Sequence, residues 1–223
     1  NGGGSWQPVS GLGGMGTHNW MWCKTLVADP VDGNVFYAYH KGAFYRSTNG
    51  GKAFSRVSSA PHEAQLHHKG HKLVATPGIK GHLWMNFQPD GLYRSTNGGE
   101  SWTEVPGFKG TNKVGAMAVD VGVAPEGNPY PGAVFVPGKY NGEPGVWLSL
   151  DQGQTWKRIN PDNQFFCFAA NCEASNYKFG IVVIGGQGAG GWYLKHPDRV
   201  DKSVGLRGDT PPHSSAAPHS FVH

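Results

Sequence analysis

The sequence predicts an all-β chain, and three observations predict it. Glycine and proline, the poorest residues for a helix interior, number 35 and 16 among 223 residues, well above their combined average of roughly 12%. Aromatic residues make up 12% of the chain, with 8 Trp, against only 15% charged. That balance suits many short strands joined by tight turns, and it disfavours helical bundles, coiled coils and disorder over most of the length. The third observation is internal repetition, and it is the strongest.

One box recurs. Gly42-Ala43-Phe44-Tyr45-Arg46-Ser47-Thr48-Asn49-Gly50-Gly51-Lys52-Ala53-Phe54 returns as Gly91-Leu92-Tyr93-Arg94-Ser95-Thr96-Asn97-Gly98-Gly99-Glu100-Ser101-Trp102, and again as Gly145-Val146-Trp147-Leu148-Ser149-Leu150-Asp151-Gln152-Gly153-Gln154-Thr155-Trp156. Asn1-Gly2-Gly3-Gly4-Ser5-Trp6 is the tail of a further copy. The closing aromatics fall at positions 6, 54, 102 and 156.

Each copy reads mechanically. An alternating strand such as Ala43–Ser47 runs into Asn-Gly or Asp-Gly, the strongest short hairpin signal, and a second strand starts at the aromatic. Asn49, Asn97 and Asp151 bond nearby backbone amides, glycine supplies positive φ, and Phe54, Trp102 or Trp156 packs beneath the turn. These six residues are structural.

Between boxes lie two more strands per repeat. Cys23–Asp29 and Asn34–Tyr39 precede the first complete box, Lys72–Thr76 and Gly81–Asn86 the second, and Val114–Val121 and Gly132–Val136 the third. Phe165–Ala170, Phe179–Ile184 and Gly191–Leu194 follow it. Four strands per repeat of this length is the signature of β-propeller blades. A lone outer strand, Ser5–Val9, and the last three strands together supply one blade, so residues 1–195 are expected to form four four-stranded blades. These either close within one molecule or exchange between two copies to give a homodimer of eight, since unclosed edges invite aggregation. Residues 196–223 depart from the pattern as a polar, Pro/His-rich tail, expected to be a disordered linker or non-native extension.

The boxes resemble Asp-box (BNR) repeats, whose pattern is Ser-x-Asp-x-Gly-x-x-Trp, with Asn replacing Asp in three copies and Phe54 replacing one Trp. Residues 1 to about 195 further resemble part of the carboxy-terminal propeller of glycoside hydrolase family 74, the xyloglucan-cleaving endoglucanases. The likeness is carried by Asn34–Ser47, by Lys72–Trp84 with Val74-Ala75-Thr76-Pro77-Gly78, and by Gly145–Asn163 with Trp156-Lys157-Arg158-Ile159-Asn160. It implies a secreted, polysaccharide-directed hydrolase built from two seven-bladed propellers with the glycan between them. It also implies that the catalytic Asp pair lies in segments this chain does not contain.

Other classes are disfavoured. No run of 18 apolar residues occurs, so no membrane-spanning helix is expected. The net charge of +4 is scattered, without the basic stripe that a nucleic-acid surface needs. Residue 1 is Asn, so the chain reads as processed, truncated or excised from something longer. Cys23, Cys167 and Cys172 are odd in number; Cys167 and Cys172 fit either a local disulfide or two reduced thiols.

Propeller connectivity places the boxes on one face and sorts two sets of loops onto the other. The loops between blades are Ser10–Trp22, Ser58–His71, Pro106–Lys113 and Asn160–Gln164. Those joining second to third strands are His40–Gly42, Phe87–Gly91, Pro137–Pro144 and Gly185–Gly190. Six histidines (His18, His40, His62, His67, His68 and His71) fall in these loops. Three imidazoles plus an open position would hold a divalent metal such as Zn and activate a water towards an ester or phosphoester; His18, His40, His67 and His71 are the candidate ligands. His can equally serve as a general base without metal, or simply be solvated there. The candidate catalytic set is His18, His40, His67, His68, Glu63 and Asp162, although no carboxylate pair with glycosidase spacing can be assigned. Trp20, Trp22, Phe87 and Tyr140, flanked by Asn19 and Asn141, are candidates for stacking on and bonding to sugars; for Trp20 and Trp22 the alternative is a wedge between blades.

Three readings follow. The first is a glycan-directed propeller fragment that binds or weakly hydrolyses a β-glucan on the face opposite the boxes. The second is a metal-dependent hydrolase of small esters or phosphoesters using the His cluster. The third is a structural or protein-binding propeller.

Overall fold

The computed structural model describes residues 4–12, 24–40, 42–61, 71–87, 91–109, 115–161, 169–186 and 190–195. Among them are fifteen strands in four antiparallel sheets, and each sheet is built from strands consecutive in sequence. The first holds β1 (Leu26–Ala28), β2 (Phe36–His40), β3 (Ala43–Ser47) and β4 (Ser55–Ser59). The second holds β5 (Lys72–Ala75), β6 (Leu83–Phe87), β7 (Gly91–Ser95) and β8 (Thr103–Val105). The third holds β9 (Asp120–Val123), β10 (Gly132–Tyr140), β11 (Glu143–Ser149) and β12 (Lys157–Arg158). The fourth holds β13 (Ala169–Ala174), β14 (Ile181–Gly186) and β15 (Gly190–Lys195).

These are propeller blades because both faces of the inner sheets are apolar. Successive side chains of a strand point to opposite faces, and here one face turns forward to the next sheet and the other back to the previous one. The forward face of the first sheet, with Tyr37, Tyr39 and Phe44, meets Leu73, Leu83, Met85 and Phe87 on the back of the second. Val74, Trp84 and Leu92 point forward from the second sheet onto Val121, Val134, Val136 and Trp147 of the third. Phe135, Val146 and Leu148 then meet Cys172, Val182 and Ile184 of the fourth. Full burial of each such side chain contributes roughly 1.5–3 kcal/mol, so these three seams hold most of the stability.

The box turns are built as their sequences require. The Ser47 hydroxyl donates to Asn49 Oδ1 (2.9 Å) and accepts from the Gly51 amide (3.0 Å), while the Ala53 amide donates back to Asn49 Oδ1 (3.0 Å). Ser95, Asn97, Gly99 and Ser101 repeat this pattern, as do Ser149, Asp151, Gly153 and Thr155. The indoles of Trp102 and Trp156 donate to the carbonyls of Gly99 and Gly153 (3.1 and 3.2 Å). A third-strand arginine then ties the second and third boxes to the blade before each: Arg46 donates to Glu100 (3.0 Å), and Arg94 to the Gln152 carbonyl.

Several boundaries differ from expectation. Of the strand expected over Val114–Val121, Val114 lies outside the described residues and β9 begins at Asp120, after an isolated bridge between Ala116 and Gly138. A Cβ at Gly138, whose φ is +154°, would lie 2.1 Å from the Gly115 carbonyl oxygen, so only glycine admits that approach. The strand expected over 165–170 starts at Ala169, residues 165–168 lying outside the described set. Residues 5–9 form no strand. Instead Ser10 bridges Ala53 in parallel, Leu12 packs on Ala38 and Phe54, and β15 pairs with β14 alone among the described residues. Among the described residues the fourth sheet therefore holds three strands, and residues 5–9 do not supply its fourth. Cys172 is a free, buried thiol whose ionisation burial pushes up, and Cys23 and Cys167 lie outside the described residues.

Candidate functional site

The face opposite the boxes is where the candidate residues were expected. The β10–β11 hairpin carries Tyr140, Asn141, Gly142 and Glu143 across its tip. Asn141 holds φ +50°, its amide donating to the Gly107 carbonyl (2.8 Å). The half-buried Tyr140 ring lies against Gly107, where a Cβ would come within 2.3 Å of it, and also packs on Phe108 and Trp147. This tip is a partly aromatic edge on which Asn141 is exposed. Arg158 donates to Glu143 (3.0 Å) at its base.

Two other expectations give way. Phe87 is fully buried between the first two sheets, edge-on to Tyr39 and Tyr93. A ring with no exposed face cannot stack on a sugar, so its role is core packing. His71 is likewise buried, its ring beside Tyr39 and Phe87 and its Nδ1 3.3 Å from the Asn86 carbonyl oxygen. It belongs to the blade seam rather than to a solvated loop. His40 ends β2, half-buried. His18, Asn19, Trp20, Trp22, Glu63, His67, His68 and Asp162 lie outside the described residues. Among the described residues, no group of three or more His, Cys, Asp or Glu could hold a metal ion.

One cluster went unforeseen. The inner strands bring together Lys24, Lys72, Asp120 and Glu173 at the hub. The Lys72 ammonium is buried and sits 2.9 Å from Glu173 Oε1 and 3.6 Å from Asp120 Oδ2, and it also donates to the Cys172 carbonyl. Lys24 reaches Glu173 Oε2 at 3.3 Å from the first blade. Burial pushes the Asp120 carboxyl up, against the pull of Lys72 and of the Ala174 amide. Burial also acts upward on Glu173, but its bonds to Lys72 and Lys24 outweigh it and hold that carboxyl below its ordinary value. Lys72 reaches a carboxylate on each of two later blades and Lys24 reaches one of them from the first, so the hub is an ion-pair clamp between inner strands. The readable signal was a lysine at the head of each of two successive inner strands: Lys24 and Lys72 bridge in parallel register.

A second polar knot crosses the middle seam on the box face. His82 Nδ1 lies 2.7 Å from the Thr76 hydroxyl, and the Trp84 indole donates to Thr76 and Tyr130 (3.2 Å each). His82 Nε2 is buried without a hydrogen-bond partner, so a charged ring would present an N–H that nothing receives. Burial, helped by the charge of Arg94, lowers the His82 pKa to about 4. Above its unfolded-state value near 6.5 the neutral ring costs nothing; as pH falls towards 4 the unfolded chain takes up a proton that the folded chain refuses. Stability should therefore drop by about 2 kcal/mol between pH 7 and pH 5. His82→Asn keeps an acceptor near Thr76 but does not titrate, and its urea midpoint should lose most of that slope. An equal slope in both proteins would show that His82 is not its source.

Sheets of this order, packed forward face on back face with repeated box turns, define a set of β-propeller blades. The chain is similar to glycoside hydrolase family 74 proteins: it is 34% identical to xyloglucanase Xgh74A of Acetivibrio thermocellus over 92% of its own length, and 28% identical to a xyloglucanase of a Paenibacillus species over 98%. It spans about a quarter of the former and a fifth of the latter, so it resembles a fragment of a family 74 propeller region. The crystal structure of the Niastella koreensis GH74 enzyme matches 76% of the chain with a TM-score of 0.62 at 31% identity, covering 24% of that protein. The GH74 xyloglucanase of Xanthomonas campestris shares the fold over 87% of the chain, covering 26% of its own, with a TM-score of 0.63 at 23% identity. No family model matches.

Proposed function

We propose that this chain is a glycan-directed piece of a secreted, family 74-like hydrolase, and that its face opposite the boxes forms part of the wall of a β-glucan cleft. The observation that carries the reading is the 34% identity to a xyloglucanase over nearly the whole chain. The Tyr140–Glu143 tip on that face, with its exposed Asn141, supports it. The boxes act as Asp boxes, scaffold rather than site. Among the described residues, Asp120, Glu143 and Glu173 are each ion-paired, and the part proposed for this face is binding. Trp20, Trp22 and Asn19 are the further sugar contacts in this reading.

Affinity electrophoresis in a xyloglucan gel tests it. The chain should be retarded relative to a gel without polysaccharide, and Trp20→Ala or Trp22→Ala should weaken retention roughly tenfold, the value of one well-formed aromatic contact. Unchanged migration in xyloglucan would rule the reading out.

A further inference from the structure

Asparagine is a thermolabile residue, and it is most reactive before glycine, where no Cβ shields the next backbone nitrogen. Three Asn-Gly pairs fall within the described residues: Asn49-Gly50, Asn97-Gly98 and Asn141-Gly142. All three asparagines are exposed. Exposure therefore does not separate them, but hydrogen bonding does.

The two box pairs are tied at both reacting groups. Asn49 Oδ1 accepts from the Ser47 hydroxyl (2.9 Å) and the Ala53 amide (3.0 Å), and the Gly50 amide donates to the Asn34 carbonyl (2.9 Å). Ser95 and Ser101 hold Asn97 Oδ1 in the same way, and Asn97 Nδ2 donates to the Ser101 hydroxyl (2.9 Å). The Gly98 amide donates to the Gly81 carbonyl (2.8 Å). The third pair spans the β10–β11 tip, just beyond the last ladder pair of Tyr140 with Glu143. Its Asn141 main-chain amide donates to Gly107. Among the described residues, nothing bonds the Asn141 carboxamide or the Gly142 amide. A Cβ built on Gly142 would meet nothing within 4 Å, so the tip has room to turn.

We infer that Asn141 is a site of spontaneous deamidation and that the box asparagines are spared. The Gly142 nitrogen gives its proton to solvent base and attacks Asn141 Cγ. The new N–C bond closes a cyclic imide while the Cγ–Nδ2 bond breaks and the side-chain nitrogen leaves as ammonia. Water then opens the imide at either carbonyl, leaving aspartate or isoaspartate at position 141. In the boxes the same attack must first break the bonds that hold the amide oxygen and the glycine nitrogen. Either product adds a negative charge close to Glu143, which Arg158 already pairs. Isoaspartate also lengthens the backbone of a tight turn. This inference does not rest on the glycan reading, and it holds equally for a chain that binds no sugar.

Tryptic mapping of the folded chain after incubation at mildly alkaline pH tests it, because the three pairs fall in separate peptides, 47–52, 95–109 and 140–157. Circular dichroism checks that the fold persists. Conversion of amide to acid, with isoaspartate read by enzymatic carboxyl methylation, should proceed about tenfold faster in 140–157 than in the other two, a barrier difference of about 1.4 kcal/mol. In urea, where the protecting bonds are gone, the three peptides should convert at similar rates. Asn141→Ser should abolish the conversion of 140–157. Equal rates in the folded chain, a box pair that reacts first, or no conversion of 140–157 overturns the proposal. So does a lead for 140–157 that persists in urea, since sequence rather than structure would then set the order. Conversion that survives in Asn141→Ser overturns it too, by placing the chemistry on another amide.

Discussion

Lys72→Met should destabilise the protein by about 3–5 kcal/mol, the cost of removing one partner from a buried ion pair. The ammonium is nearly enclosed and serves three blades at once. It stands on β5 and reaches Asp120 on β9, and Glu173 and the Cys172 carbonyl on β13. Methionine fills the same volume and takes away the charge, so the loss is electrostatic and not a cavity. Glu173 can turn to water and to Lys24. Asp120 cannot: it is buried, and the backbone amides of Ala174 and Val121 would be left to offset its charge.

The pH dependence of that variant identifies the cause. Burial already raises the Asp120 carboxyl, and without Lys72 it rises further. A group whose folded pKa lies above its unfolded value binds its proton more tightly when folded, so stability increases as pH falls through the folded value. The deficit of Lys72→Met relative to the wild type should shrink between neutral pH and pH 5. Lys72→Met with Asp120→Asn should be less damaging than the sum of the single changes. Urea denaturation of the four proteins at both pH values checks this. A deficit that stays constant with pH would mean that packing, not an orphaned carboxylate, is responsible.

The parts of this structure that were legible in the sequence are the local ones. Ser47, Asn49, Gly51 and Ala53 bond among themselves within a few residues, so a single box determines its own turn, and three copies repeat it. Strand order followed from the spacing of those turns. Burial and partnership did not, because they depend on which blade lies opposite. Phe87 and His71 sit at a loop boundary in sequence yet are enclosed by Tyr39 from the preceding blade. Lys72 finds Glu173 from 101 positions away. The hub therefore looked like scattered charge, and the fate of residues 5–9 looked like simple closure of a blade. The covering of Phe54 by Leu12 likewise leaves no trace in local pattern.

Trp84→Ala should cost about 3–5 kcal/mol, the range for truncating a buried large aromatic, and lower the melting temperature by roughly 10 °C. Trp84 is completely buried at the centre of the seam between the second and third sheets. Its ring takes the Arg94 guanidinium over one face (5.9 Å) and His82 at its edge (5.9 Å). Gly153 of the next box comes so close that a Cβ there would be 3.0 Å from the indole. Alanine removes this packing and also the indole N–H shared by Thr76 and Tyr130. Trp84→Phe separates the two contributions: most of the ring volume returns, the N–H does not, and the loss should fall to about 1.5–3 kcal/mol. Arg94 meanwhile loses the face that orients it towards the Gln152 carbonyl, so the third box should loosen along with the seam. Hydrogen exchange of the Gly153 and Thr155 amides, which donate to Ser149 and Asp151, should quicken in Trp84→Ala more than that of the Gly51 and Ala53 amides in the first box. Equal acceleration in both boxes would mean that the seam does not couple to the turn.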